Sequence, residues 1–194
     1  MIIYRLPNAI AQYTSDWAMQ LIRAIELNFN KVKSEFDTTY LHTPNGYYGS
    51  FYDTTTQTAA AINTAYAMKL NTTVISEGIS IQSNSQITFN HAGIYNIQFS
   101  AEIDSTASPV SLIWIWLRKN GTDVAYSASQ IHVQGSTASE VAAWNFVESF
   151  AAGDYAEIMW ATDATTTRLL AKAASSPVPA IPSVIVTVVQ EARA

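Results

Sequence analysis

From Tyr95 to Asp104 apolar and polar side chains alternate without a break, with Tyr95, Ile97, Phe99, Ala101 and Ile103 in one set and Asn96, Gln98, Ser100, Glu102 and Asp104 in the other. Successive side chains of an extended strand point to opposite faces, so this segment has one face to bury and one to leave polar. Such a strand is stable only with neighbours in a sheet and a second layer over its apolar face. Further strand candidates are Ser50 to Asp53, Ala65 to Leu70, Ile79 to Gln82, Gln86 to Phe89, Ser111 to Lys119, Asp123 to Val133, Glu140 to Phe150, Tyr155 to Thr162 and Ser183 to Gln190. Turn residues separate them: His91-Ala92-Gly93, Ser108-Pro109, Gly135-Ser136, Ala152-Gly153-Asp154 and the prolines 177, 179 and 182. Asn120-Gly121 between two β-rich runs is the strongest hairpin signal. With no helical pattern among these runs, the expected fold is mainly β, an antiparallel jelly-roll sandwich of roughly eight to ten strands.

The chain begins differently. From Ser15 to Phe36 there is neither Pro nor Gly, and Thr14, Ser15 and Asp16 offer N-caps. Ala18, Ile22, Ile25, Phe29, Val32 and Phe36 recur at alternating spacings of four and three, a heptad seam, while Gln20, Arg23, Glu26, Lys33 and Glu35 occupy the opposite face. This predicts an amphipathic helix of about 22 residues. It either packs on its own domain or associates with other chains; the second is preferred, because nothing later in the chain reads as a helical partner. The expected division is an N-terminal arm and helix over residues 1–40 and a head over residues 41–194. The first part balances its charges; the second carries the whole net charge of −5.

That acidic balance argues against a nucleic-acid partner, since affinity for phosphate backbones comes from Lys and Arg. No apolar run approaches the ~20 residues of a membrane span, and the N-terminus has no signal-peptide core. The 194 residues contain no cysteine, which excludes disulfides and thiolate chemistry. His42, His91 and His132 have no metal-site spacing. Glu102 and Asp104 share a polar strand face, an arrangement open to a hard cation, but ordinary for solubility. No nucleophile elbow or phosphate loop occurs. The expectation is a non-enzyme with no catalytic residue, no cofactor and no metal. Tyr47, Tyr48 and Tyr126 are the candidate exposed aromatics, and no receptor-binding residue is singled out.

Two strands look apolar on both faces. Ile113, Ile115 and Leu117 oppose Leu112, Trp114 and Trp116; Trp144, Phe146 and Phe150 oppose Val141, Ala143 and Val147. One face of each can enter a sandwich core, and the other needs a cover, which points to a subunit interface.

The motifs Ile87-Thr88-Phe89, Ala92-Gly93-Ile94-Tyr95, Phe99-Ser100-Ala101, Leu117-Arg118-Lys119-Asn120-Gly121 and Ala152-Gly153-Asp154-Tyr155, closed by the apolar run Ser183 to Val189, stand in an order that resembles a known family. It is similar to the jelly roll shared by the globular head of complement's first component and the tumour-necrosis-factor cytokines, over about residues 47–189. The stretch from Tyr48 to Leu70, with Gly93 to Ala101, further resembles heads of bacteriophage tail-fibre and other virion proteins. The helix, with Asp16-Trp17-Ala18 and Arg23-Ala24-Ile25-Glu26-Leu27-Asn28-Phe29, resembles the stems of phage fibre and head-fibre chains. The resemblance implies a homotrimer in a virion assembled in the bacterial cytoplasm, contacting capsid or tail through its N-terminal region and a host receptor or glycan through its head. The main expectation is a short fibre or spike for host attachment. A capsid decoration or head-fibre protein is the alternative, and a cytokine-like or lectin-like binding module the second.

Overall fold

The computed structural model describes residues 15–36, 46–107, 110–135 and 138–193. The chain divides into two units, Met1–Asn45 and Gly46–Ala194.

In the first unit, helix α1 spans Ser15–Phe36, 22 residues, with Asp16 in its first turn and Lys33 in its last. Those charges sit where the helix dipole favours them. The bounds match the helix expected from the caps at its start and the apolar seam ending at Phe36. Thr14, the first of the suggested caps, lies outside the described residues.

The second unit is a two-layer β sandwich. Its first sheet orders β4 (Thr72–Glu77), β1 (Tyr48–Asp53), β14 (Val184–Arg193) and β7 (Gly93–Ser105), with β11 (Ser139–Phe150) on the far side of β7. Two short strands, β13 (Thr167–Leu169) and β2 (Gln57–Thr58), extend it beside β7. The second sheet orders β5 (Ile79–Gln82), β6 (Gln86–Phe89), β12 (Tyr155–Thr162), β8 (Ser111–Lys119) and β10 (Ser129–Val133), with β3 (Tyr66–Ala67) on β12 and β9 (Thr122–Asp123) on β8. Every pairing is antiparallel. From β6 onward the chain passes repeatedly between the layers: β7 in the first sheet, β8 and β10 in the second, β11 in the first, β12 in the second, β14 in the first. This is the jelly-roll winding, so the mainly β antiparallel fold with one N-terminal helix is as the sequence leads one to expect.

The alternation in β7 does what its pattern requires. Tyr95, Ile97, Phe99, Ala101 and Ile103 are buried, facing Ile113, Ile115 and Leu117 of β8 and Ile158 and Trp160 of β12 in one core. Phe89 stacks on Phe150 with ring centroids 3.9 Å apart, and Tyr95 tilts against Phe89 at 4.5 Å. The Tyr95 hydroxyl donates to the His91 carbonyl at 2.7 Å, so its one polar atom is satisfied at the core's edge.

The two turn signals of the sequence meet in space. Asn120 and Gly121 take φ of 48° and 79°, the left-handed pair of a two-residue hairpin, and Arg118 and Lys119 pair with Asp123 and Thr122 across it. The Asn120 amide donates to Asp154 Oδ1 at 2.8 Å and its oxygen accepts the Tyr155 N–H at 2.9 Å; Asp154 Oδ2 accepts the Ala151 N–H at 2.8 Å. These hydrogen bonds, with Lys119 nearby, hold the Asp154 carboxyl below its usual range.

Three sequence expectations change. The stretch from Asp123 to Val133 is not one strand: the chain leaves the ladder after Asp123 and rejoins it at Ser129. The intervening turn is held by Ser127, whose hydroxyl donates to the Val124 carbonyl at 2.8 Å and accepts the Leu117 N–H at 3.0 Å. From Ala65 to Leu70 only Tyr66–Ala67 pairs as a strand, because the segment turns from β12 toward Gln57 and Asn84. Strands β2, β4 and β13 are additions, β2 pairing with β13, β4 with β1 and β13 with β7.

Candidate interaction surfaces

Three surfaces follow from this framework. The first is the α1 seam. Of its expected residues, Ile22, Ile25, Phe29 and Val32 are 54%, 50%, 72% and 51% exposed, and Ala18 is half-buried. The side chain of Phe36 lies outside the described residues. Met19 and Leu27 are also exposed. An amphipathic helix gains most of its stability by burying its apolar stripe, and this stripe is left largely in solvent.

The second is the outer face of the first sheet. Register places Tyr48, Val189, Asn96 and Val147 in one row across β1, β14, β7 and β11; Ser50, Thr187, Gln98 and Asn145 in the next; and Tyr52, Ile185, Ser100 and Ala143 in a third. Val141 lies beside Glu102, one row further. Val141 and Val147 are 59% and 58% exposed, and Ile94, Ile185 and Val189 are exposed as well. The middle of the face is apolar or neutral, and its carboxylates stand toward the strand ends. Asp104 is paired there with Arg168 at 2.8 Å, and Glu191 accepts from the Asn96 amide at 3.2 Å. An uncharged polar row flanked by exposed aliphatic side chains, with charge only at the margin, matches the depletion of charge in the core of a subunit contact. Val141, Ala143 and Val147 were legible as a second apolar face. Ile185 and Val189 were not singled out, although the run Val184 to Val189 is apolar on both faces in the same way.

The third is the outer face of the second sheet. Leu112, Trp114 and Trp116 project from β8 and are half-buried. The Trp114 N–H donates to Gln130 Oε1 at 2.8 Å, and the Gln130 amide contacts His132 Nε2 at 2.8 Å. The Trp116 N–H and Arg118 Nε both donate to Asp123 Oδ1, at 2.8 and 2.7 Å, and these bonds lower the Asp123 carboxyl below its usual range. Each indole N–H is thereby satisfied and its ring oriented by a polar neighbour from the sheet edge, while the rings stay half-exposed.

Of the three tyrosines named as exposed, Tyr126 is fully so, on the turn after β9, and it holds φ of 62°, a costly conformation for a bulky residue. Tyr47 and Tyr48 are only half-buried, neither fully exposed. Tyr47 lies flat on His91, with ring centroids 3.8 Å apart; burial raises the Tyr95 hydroxyl above its ordinary range, and its electrostatic interaction with Tyr47 adds to the rise. His42 lies outside the described residues. Glu102 and Asp104 do not converge on a cation site: Asp104 faces Arg168, and among the described residues no three acidic or histidine side chains come together.

Comparison with known proteins gives little. A scan of protein-family models and a search of curated proteins return no match. Among solved structures, the chain is similar to the globular domain of zebrafish complement 1qA protein, with a TM-score of 0.48 and 12% identity over 76% of this chain and 99% of that one. The strand order described above, and not this likeness, establishes the fold.

Proposed function

We propose that three copies of this chain associate about a three-fold axis to form a short spike or fibre of a bacteriophage virion, with α1 as its stem and the jelly roll displayed for contact with a host surface. The observation that carries the reading is the uncovered stripe of α1, Ile22, Ile25, Phe29 and Val32. Its spacing of three and four is that of a helix whose partners are like helices. The outer face of the first sheet adds a second surface in the head, uncharged at its middle and with Val141, Val147, Ile185 and Val189 exposed. One rotation axis can satisfy both, since in a closed ring each copy offers a surface to the next. Three heads on one stem would multiply weak contacts by avidity.

The virion assignment rests on the sequence resemblance of the helix and of residues 48–70 and 93–101 to phage fibre and head-fibre chains. In the decoration variant of the reading, the same N-terminal region docks on the capsid and the head projects.

Sedimentation equilibrium at micromolar concentration tests the assembly. Three times the 21.2 kDa chain mass is expected, and a monomer refutes the trimer. Labelling of purified particles with antibody against the head tests the virion role. Label at the tail supports the spike, label over the capsid lattice supports decoration, and particles without label refute both.

A further inference from the structure

Where the chain runs from β1 toward β4 it ties the two sheets together, since Gln57–Thr58 pair with β13 of the first sheet and Tyr66–Ala67 with β12 of the second. A cleft of about 450 Å³ opens between these anchors and the β5–β6 turn at Ser83 and Ser85, within the usual size range of small-molecule sites. Its walls are preformed. The buried Gln57 amide accepts the Lys69 N–H at 2.8 Å and donates to the Lys69 carbonyl at 3.1 Å, and Leu70 N–H donates to the Asn84 carbonyl at 2.7 Å.

The chemistry of the lining is specific. Threonines 55, 56 and 58 and Ser83 put hydroxyls at the exposed rim, and those of Thr58 and Ser83 have no hydrogen-bond partner among the described residues. Lys69 is exposed in the same rim and forms no ion pair among the described residues; the lining itself has no carboxylate, and the two that stand behind it are engaged, Asp53 by the Thr55 hydroxyl and Glu157 by the Ser85 hydroxyl at 2.8 Å. Deeper in, Tyr66 contributes a half-buried ring, its centroid 5.8 Å from that of Trp160. Trp160 is 1% exposed and backs the cleft from within the core, its indole N–H without an acceptor among the described residues.

An apolar occupant would strand these hydroxyls and the ammonium, at a cost for each. A sugar meets the accessible features. Its hydroxyls exchange hydrogen bonds with Thr and Ser, which both donate and accept, and a C–H face can lie on the half-buried Tyr66 ring. The lone cation selects a sugar that carries a negative charge. We propose that this cleft binds an acidic monosaccharide unit, a uronic acid or a similar carboxylated sugar of a surface glycan. The site lies within one protomer, so it stands or falls separately from the trimer.

Calorimetric titration of the full-length protein with sodium glucuronate tests it, with glucose and sodium sulfate as comparators. One saturable site per chain is expected for glucuronate. Lys69→Ala should weaken it about tenfold, the loss of one charge-assisted hydrogen bond, and Thr58→Val by about threefold, while Lys172→Ala, a charge-matched change away from the cleft, leaves affinity unchanged. Both cleft variants alter exposed side chains, and unchanged thermal unfolding confirms that they fold. No saturable binding, equal binding by the Lys69→Ala protein, or sulfate or glucose binding as tightly as glucuronate would overturn the proposal. A monomer that still binds glucuronate refutes the trimer and leaves the cleft standing; a trimer that binds none does the reverse.

Discussion

Replacing Val141 and Val147 together by threonine probes the outer face of the first sheet without disturbing the sandwich beneath it. Both side chains point away from the core and are more than half exposed, and threonine is as β-branched and as suited to a strand as valine. The isolated head should therefore unfold at nearly the wild-type temperature. If the face is buried between subunits, each substitution places a hydroxyl where a methyl group was desolvated, at a cost of about 1 kcal/mol when no partner is supplied. With two such positions on each of three chains, the trimer loses about 6 kcal/mol, roughly four orders of magnitude in its association constant. Trimer formation depends on the square of the free-chain concentration relative to each bound chain, so the midpoint concentration for dissociation rises about a hundredfold. Sedimentation velocity across a dilution series reads that midpoint directly. An unchanged midpoint, in a variant whose thermal unfolding is also unchanged, refutes burial of this face and leaves assembly to the stem alone.

Ile25→Asp with Phe29→Asp in α1 removes two exposed apolar groups of the seam and brings like charges together, and it should raise the same midpoint at least about a hundredfold without altering unfolding of the head, measured by calorimetry. For Asp154, whose folded carboxyl is held low by the Ala151 N–H and the Asn120 amide, the contribution to stability is complete above its ordinary value and is lost as pH falls through the lower folded value. Urea midpoints followed from neutral pH into acid should then decline less steeply for Asp154→Asn than for the wild-type protein; parallel curves would contradict the clamp. Gly121→Ala meets only ordinary contact with the Tyr155 hydroxyl at 3.5 Å, so the cost is that of the positive φ, about 1 kcal/mol. Gly78→Ala adds a collision with the Tyr47 ring, and it should lower the melting temperature further than Gly121→Ala does; the reverse order would show that the Tyr47–His91 stack moves freely.

Much of the fold was legible because the forces that form it are local. A stretch free of Pro and Gly with apolar residues every three or four positions sets where α1 runs, since those signals act within a few turns of the chain. Strict alternation in β7 and the Asn120-Gly121 pair act at the same range, and the exposed α1 seam and the apolar backs of β8 and β11 were visible as faces in excess of what one core can use. What alternation cannot show is which face is covered by neighbours in the same chain. Trp114 and Trp116 read like Val141 and Val147, yet Gln130 and Asp123 bind the indole N–H groups and leave the rings half-buried, while the two valines are more than half exposed.

The candidate sugar site shows the boundary most clearly. Its residues come from segments near Thr55, Tyr66, Ser83 and Trp160, each a short hydroxyl-rich or aromatic stretch with no motif of its own. Strands β2 and β3, two residues apiece, carry too little hydrophobic pattern to be read alone; they exist because β13 and β12 offer open ladder positions. By itself, then, the sequence determined helix α1, the long strands, the tight turns and the jelly-roll class, all consequences of periodicity and backbone preference over ten or twenty residues. Tertiary structure alone decided which apolar faces remain bare, how Asn120 meets Asp154, and that Lys69, Thr58 and Trp160 share one cleft, because those depend on free energies of contact between segments that sequence distance does not encode.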